Sequence, residues 1–257
     1  MQIVIFIRTN KGVILSTDGE KFLGYARQVL EQIDLIEGIY KDDVVSKPHF
    51  SVSCQHYSFA VNAFVDVIRK FDAYQYDFTI REEQTHEIIE DVTNMKSELG
   101  VIYLSSKNTE VLSKMLKRNE LEFTELFTAS PHVFICDSHP LAQMDSISMD
   151  DLQDYPYLTY EQGEYNSQYF SEEFVSTLDS RKNIRVRDRA TLFNLLIGLN
   201  GYTVCSGVIS AELNGKNIIS KPLDMEEYMQ IGIITRKGVM LSRYAQEYIE
   251  ALKLHTR

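Results

Sequence analysis

From His49 onward, short apolar runs alternate with segments of helical period, and that alternation leaves few folds open. "HFSVSC" (49–54) reads as a strand, and "SFAVNAFVDVIRKF" (58–71) as a helix with apolar residues at Phe59, Val61, Ala63, Phe64, Val67, Ile68 and Phe71. Strand "YDFTIRE", helix "THEIIEDVTNMKS", strand "LGVIYL", helix "TEVLSKMLKRN" and strand "LEFTELFTA" follow. This β-α-β-α order predicts a largely parallel sheet with helices on both faces. A second cycle begins near Pro131. It reads as strand "HVFICD", a short acidic helix "SMDDLQDYP", strand "YLTY", helix "SEEFVSTL", strand "NIRVRD", helix "RATLFNLLIGLNG", and strands "YTVCSG" and "IISKPL". Strand "MQIGIITR" and helix "SRYAQEYIEALKL" are left over. Two similar α/β units in series with one strand and one helix to spare predict two Rossmann-like lobes. Two chain crossings, near 128–130 and 224–230, would join them.

Composition narrows the class. No apolar run approaches the ~20 residues that span a bilayer, and the apolar start, Ile3 to Ile7, is followed rather than preceded by basic residues, unlike a secretory signal. A cytoplasmic chain with no membrane partner is expected. Cys54, Cys136 and Cys205 are far apart and form no framework of pairs. Net charge is -11, and the charge is uneven: residues 1–47 carry 6 basic and 7 acidic side chains, the remainder 20 and 30. An acidic body is no general nucleic-acid-binding surface.

The opening 47 residues read differently. Ile3–Ile7 is a strand, "RTNKG" (8–12) is turn chemistry, and "VIL" resumes the strand, giving a hairpin with a basic tip. Thr17 with Glu20 three residues on forms a capping box, so a helix starts there. Phe22, Ala26, Val29, Ile33, Ile36 and Tyr40 are spaced 4, 3, 4, 3, 4, a heptad seam suited to pairing with a second helix. The same residues also suit an amphipathic helix packed on its own domain. "KDDVVSKP" (41–48) reads as a linker.

The stretch "FIRTNKGVILSTDGEKFLGYARQVLEQIDLIEGIY" resembles the wing and linker helix of LysR-type transcriptional regulators. The family writes its wing roughly as Arg-Thr-x-x-Gly-Val-x-Leu-Thr-x-x-Gly. Here Arg8, Thr9, Gly12, Val13, Leu15 and Gly19 fill it, with Ser16 where Thr is usual. The resemblance continues through the whole chain. It implies an effector domain of two lobes of the type II periplasmic-binding-protein kind, with a small-molecule effector between them and no cofactor. It also implies a homodimer or homotetramer paired through the linker helix. The chain starts at the wing's first strand, so the helices that read a major groove are expected to be missing. DNA would be contacted through the full-length protein only, and Arg8, Thr9, Asn10 and Lys11 at the wing would touch phosphates or a minor groove. The domains expected are 1–16, wing remnant; 17–47, dimerisation helix and hinge; 48–129 plus 229–257, lobe I; and 130–228, lobe II.

Ligands of open parallel sheets sit beyond the carboxyl ends of strands. "CQHYS" leads from the first body strand into a helix N-terminus, where free N–H groups and the helix dipole favour a carboxylate or other anion. Gln55, His56, Tyr57 and Ser58 are the candidates there, and the family's effector loop falls on the same position. Ser105 and Ser106 follow the third strand. Glu161, Gln162, Gly163 and Tyr165 follow "YLTY", and Gly201 and Thr203, with Ser206, flank "YTVCSG". Each has a plainer role open to it: Ser58 as an N-cap, Gly201 as a helix C-cap, Tyr165 and Tyr169 as half-buried aromatics, His56 as a structural hydrogen-bonder.

Enzyme motifs are missing. The six histidines make no His-x-x-x-His pair, and no Cys/His spacing suits zinc, so no metal site is expected. There is no phosphate-binding glycine loop and no nucleophile elbow. Glu82–Glu83 and Glu172–Glu173 read as neighbours on solvated faces. Cys54 and Cys205 fall near the proposed cleft, but no basic residue adjoins either to activate it. The sequence therefore favours a non-enzymatic sensor. A stand-alone solute-binding protein, or an enzyme on the same fold, are the alternatives.

Overall fold

A computed structural model describes residues 3–10, 12–19, 22–26, 29, 30, 33, 48–71, 75–165, 167–174, 180–210 and 214–256. Strands β1 (Phe6–Thr9) and β2 (Gly12–Leu15) form an antiparallel hairpin with Arg8 opposite Val13 and Thr9 opposite Gly12. Arg8, Thr9 and Asn10 are exposed; Lys11 lies outside the described residues. A helix, α1, follows, with residues 17–19, 22–26, 29, 30 and 33 helical. Its cap is Ser16 rather than Thr17: the Gly19 N–H donates to Ser16 Oγ at 2.9 Å, while the Ser16 N–H is still held by the Ile5 carbonyl at 3.0 Å. The cap is the last residue whose backbone still pairs with the hairpin, which places it one position before Thr17. Glu20 lies outside the described residues. A Cβ on Gly19 would sit 2.1 Å from the Ile5 carbonyl oxygen, so only glycine fits this joint. Phe22, Val29 and Ile33 are exposed and Ala26 half-buried, while Ile36 and Tyr40 lie outside the described residues. Gly24 lets α1 approach the body at Met95.

The body runs β3 (His49–Cys54), α2 (Ser58–Phe71), β4 (Asp77–Glu82), α3 (Thr85–Thr93), β5 (Leu99–Leu104), α4 (Thr109–Arg118), β6 (Leu121–Ala129), β7 (His132–Cys136), β8 (Tyr157–Tyr160), β9 (Asn183–Val186), α5 (Arg189–Leu199), β10 (Thr203–Cys205), β11 (Ile218–Pro222), β12 (Met229–Arg236) and α6 (Arg243–His255). A five-stranded sheet of order β4-β3-β5-β12-β6 forms one lobe; sheets β10-β7-β11 and β8-β9, with α5, form the other. In the first lobe the sheet is buried on both sides. Val101, Tyr103, Ile231 and Ile233 pack with Phe59, Ala63, Val67 and Tyr248 of α2 and α6, while Ile102, Leu104 and Ile234 pack with Ile88, Ile89, Leu112 and Leu116 of α3 and α4. The continuous apolar run of β5 follows from facing two helical layers at once.

The expectation of a largely parallel sheet holds in the first lobe, where β3, β4, β5 and β6 run the same way and only β12 is reversed, and needs correction in the second. β3 is parallel to β4 and β5, but β12 is antiparallel to both β5 and β6. The reason is topological: the chain leaves this sheet at the end of β6 and re-enters at β12 from the other lobe, so β12 must run backwards, with Met229 opposite Ala129. In the second lobe β7 is antiparallel to β10 and β11, and only β8–β9 is parallel.

Two expected helices also differ. Residues 149–154 form turns instead: Ser148 and Asp151 bond reciprocally as at a helix start, but the bonds that follow, Leu152 to Met149, Gln153 to Asp150 and Tyr155 to Leu152, span only three residues, and Pro156 ends the segment. In the stretch expected as a helix over 171–178, residues 172–174 form a bend, and 175–179 lie outside the described residues.

Candidate functional site

The carboxyl end of β3 and the start of α2 face the second lobe, and polar groups cross between them. His56 is the centre of this contact. Its backbone N–H donates to Glu172 Oε2 at 2.9 Å, its Nδ1 lies 3.0 and 2.9 Å from the two Glu172 oxygens, and its Nε2 lies 3.1 Å from the Arg187 carbonyl. A carbonyl only accepts, so Nε2 carries a proton, and Nδ1 meets the Glu172 carboxyl group. The ring stacks on Tyr160 at 3.8 Å, so an imidazolium charge here lies against an aromatic face. Burial opposes that charge, but the Glu172 charge and hydrogen bond outweigh it and raise the His56 pKa above its ordinary value.

Gln162 Oε1 accepts from the Thr85 N–H at the start of α3, at 3.0 Å, and Gln162 Nε2 donates to Glu172. Thr85 Oγ1 donates to the Phe170 carbonyl at 2.8 Å, and Tyr165 stacks on His86 at 3.5 Å. Arg189, first residue of α5, pairs with Glu82 at the end of β4 at 3.0 Å.

These contacts leave a cavity of about 40 Å³ lined by His56, Tyr57, Ser58, Tyr160, Glu172, Glu173, Arg189, Phe193, Thr203 and Ser206, among others. That is space for a few water molecules. A larger cavity, about 440 Å³, lies at the opposite end of the five-stranded sheet beside α1. Its charged groups are largely partnered: Lys96 with Asp91 at 2.9 Å, His49 with Asp77 at 3.6 Å, and Arg81 with Asp91 at 4.0 Å and with the Ser97 hydroxyl. The small cavity is paired too, Arg189 with Glu82 and His56 with Glu172, but it keeps two polar atoms over. Ser58 Oγ and Arg189 Nη1, both on cavity-lining residues, are buried without a hydrogen-bond partner. Unpartnered buried donors are rare and unfavourable in native folds, which makes the chemistry rather than the volume decide between the two cavities.

The structure brings together only part of the set expected from sequence. His56, Tyr57, Ser58 and Thr203 line the cavity. Gln55 is fully buried with its amide used internally, accepting from Tyr57 and the Tyr103 N–H and donating to Thr85. The Ser105 N–H is bonded to Asn108, and exposed Ser106 donates to Glu227. Glu161 pairs with Arg187. Gln162, Gly163 and Tyr165 face α3, with Gly163 at φ +55° against Gln84. Gly201 does not cap α5 either: Asn200 takes the left-handed conformation (φ 48°, ψ 45°), and Gly201, next in the chain, lies close against Leu158 and the Pro156 carbonyl.

Glu172 and Glu173 are not a solvated pair; they are 7% and 3% exposed and lie at the cleft. Burial, then the neighbouring Glu172 charge, push the Glu173 carboxyl up to about 8. Arg189 and Tyr160 were also not anticipated. The signal was present in "FSEEF" (170–174), where aromatics flank the acid pair, and in an arginine placed directly after the α5 N-cap, Asp188. Burial raises the Cys54 and Cys205 thiols, so neither is held as a reactive thiolate. Among the described residues no group of three or more His, Cys, Asp or Glu side chains is placed to hold a metal, and no helix is long and apolar enough to cross a membrane.

A two-lobed α/β body closed over a polar cleft is shared with a known family, and the family model described as the LysR substrate binding domain matches residues 52–257. The chain belongs to this LysR family. Solved structures of LysR-type regulators share the fold. A full-length OxyR from Pseudomonas aeruginosa, carrying a cysteine-to-aspartate substitution, superposes with a TM-score of 0.62 at 18% identity, covering 98% of this chain and 80% of that one. HinK, a LysR family transcriptional regulator from the same organism, gives 0.53 at 18% identity, covering 93% and 80%. The effector binding domain of QuiR in complex with shikimate gives 0.54 at 18% identity, covering 82% and 97%. No curated protein sequence matches the chain. At these identities the likeness establishes the fold.

Proposed function

We propose that this chain is the effector-sensing and oligomerisation part of a cytoplasmic LysR-type transcriptional regulator. It binds a small carboxylate-bearing or otherwise anionic metabolite between lobe I (48–129 plus 229–257) and lobe II (130–228). It carries out no catalysis. Two or four copies associate, two of them paired through the α1 seam of Phe22, Ala26, Val29, Ile33, Ile36 and Tyr40, and DNA is contacted through the full-length regulator, with the hairpin tip at the phosphates.

One observation carries the ligand class. Ser58 Oγ and Arg189 Nη1 are buried donors without partners on one cavity. A guanidinium nitrogen and a hydroxyl at a helix N-terminus together suit an anion and disfavour an amine. The QuiR domain, of the same fold, is seen with shikimate. The ligand couples the two lobes, since each contributes one donor, and the change in lobe geometry as it enters supplies the signal.

The test is a thermal-shift titration of the chain against organic acids, inorganic anions and amines. Binding to the folded state alone raises the melting temperature with ligand concentration. We expect acids to act and amines not, and the response to disappear when Ser58 is replaced by a bulky residue. Amines acting as strongly as acids, or an undiminished response in the Ser58 variant, would refute the assignment.

A further inference from the structure

The cleft already contains a carboxylate, and it is the protein's own. Glu172 comes from the 171–174 segment of the second lobe and reaches the loop before α2 in the first. There its carboxylate receives the His56 backbone N–H, His56 Nδ1 and Gln162 Nε2 at 2.9 to 3.2 Å. The side chains of His56 and Glu172 are 4% and 5% exposed. This is what bound anions receive at such positions: an N–H from the loop entering a helix, an imidazole nitrogen and an amide donor. The ring cannot turn away, because Tyr160 stacks on it and the Arg187 carbonyl holds its far nitrogen. With Glu172 seated, about 40 Å³ remains beside it, too little for a metabolite of more than a few atoms.

We propose that Glu172 is an internal ligand: it occupies the anion seat that the first lobe offers at His56, holds the empty cleft closed, and is displaced when an external carboxylate enters. This rests on the reading that the cleft takes a carboxylate. It adds that the seat exists as a built anion site whether or not an effector is known, and that effector affinity is reduced by competition with Glu172. The two free donors at Ser58 and Arg189 lie on the same cavity, so an incoming acid can engage them first and then exchange with Glu172.

The experiment uses the whole chain as Glu172→Ala, with acetate and propionate as probes and chloride at equal ionic strength as control. The truncation removes the internal carboxylate and leaves His56 and Gln162 facing a space of carboxylate size. We expect the variant to melt below the wild-type chain and to recover with rising acetate, with an apparent affinity for acetate at least tenfold tighter than that of the wild type. Equal acetate responses in the two chains, or recovery with chloride as good as with acetate, would overturn the proposal. Should Glu172→Ala fail to fold, Glu172→Gln keeps the shape and removes the charge. Its radius of gyration by small-angle scattering should then exceed that of the wild type as the cleft opens, and an unchanged radius would overturn the proposal. The two readings fail separately. A larger organic acid that stabilises the wild type, with no acetate recovery in Glu172→Ala, removes the internal ligand and keeps effector binding. Acetate recovery in the variant, with no acid acting on the wild type, keeps the seat and removes the external effector.

Discussion

Replacing Glu173 by Gln should change how stability depends on pH. Glu173 is 3% exposed, and its carboxyl is pushed up to about 8, first by burial and then by the charge of Glu172, against an ordinary value of 4.5. Its oxygens accept from the Tyr160 N–H at 2.7 Å and from Ser171 Oγ at 2.9 Å. Between these two pKa values the folded chain holds a proton that the unfolded chain has released. Stability therefore falls as pH rises through that window. One proton is worth about 1.4 kcal/mol per pH unit where the difference is complete. The folded chain is itself half deprotonated at a pKa near 8, so raising pH from 6 to 8 should remove about 2 kcal/mol. For a chain of this size that is roughly 4–8 °C in melting temperature. Glutamine keeps the shape and the neutral charge but carries no titrating proton. Urea unfolding at pH 6, 7 and 8 for both chains isolates the effect. The residual slope in the variant has the same sign, because the raised His56 pKa gives a stabilisation present below its unfolded value and lost as pH rises through its folded one. Equal pH dependence in wild type and Glu173→Gln would refute the account of a buried neutral acid.

Other substitutions test the local readings. Asn200→Gly should keep or raise stability by up to about 1 kcal/mol in chemical denaturation, since glycine takes the left-handed conformation at φ 48° more easily, whereas Asn200→Val should lower it by at least as much. Gly19→Ala would place a carbon 2.1 Å from the Ile5 carbonyl oxygen, so amide exchange should speed up across the hairpin and the start of α1 while the body stays protected. Ile33→Lys puts a charge on the exposed seam of α1 and should lower the mass seen by light scattering; an unchanged mass would remove the pairing role of that seam.

The architecture was legible because β5 and α2 announce themselves. The six-residue apolar run Leu99–Leu104 is too short for a helix and suits a strand covered on both faces, and the spacing of Phe59, Ala63, Phe64 and Val67 suits a helix with one buried face. The direction of β12 was not legible, because strand period says nothing about which way a strand runs; that depends on the chain crossing twice between sheets. The site was half legible. Strand ends and a helix N-terminus mark where ligands go, and they led to His56 and Ser58. Glu172 and Glu173 were misplaced because adjacent acids are usually solvated. Only the three-dimensional arrangement shows Glu172 meeting His56, 116 positions away in the chain, and Tyr160 covering the ring. Ser105 and Gly201 were at the right kind of loop but were consumed by local geometry: the Ser105 N–H bonds to Asn108, and Gly201 packs on Leu158.

The central claim is that the cleft recognises a carboxylate through Ser58 and Arg189. Isothermal titration of acid and amide forms of the same small molecule against the wild type and Arg189→Gln tests it most directly. The acid should bind the wild type at least tenfold more tightly than its amide, and this preference should collapse in Arg189→Gln. Acid and amide binding the wild type equally well, or a preference that survives loss of the guanidinium, would contradict it.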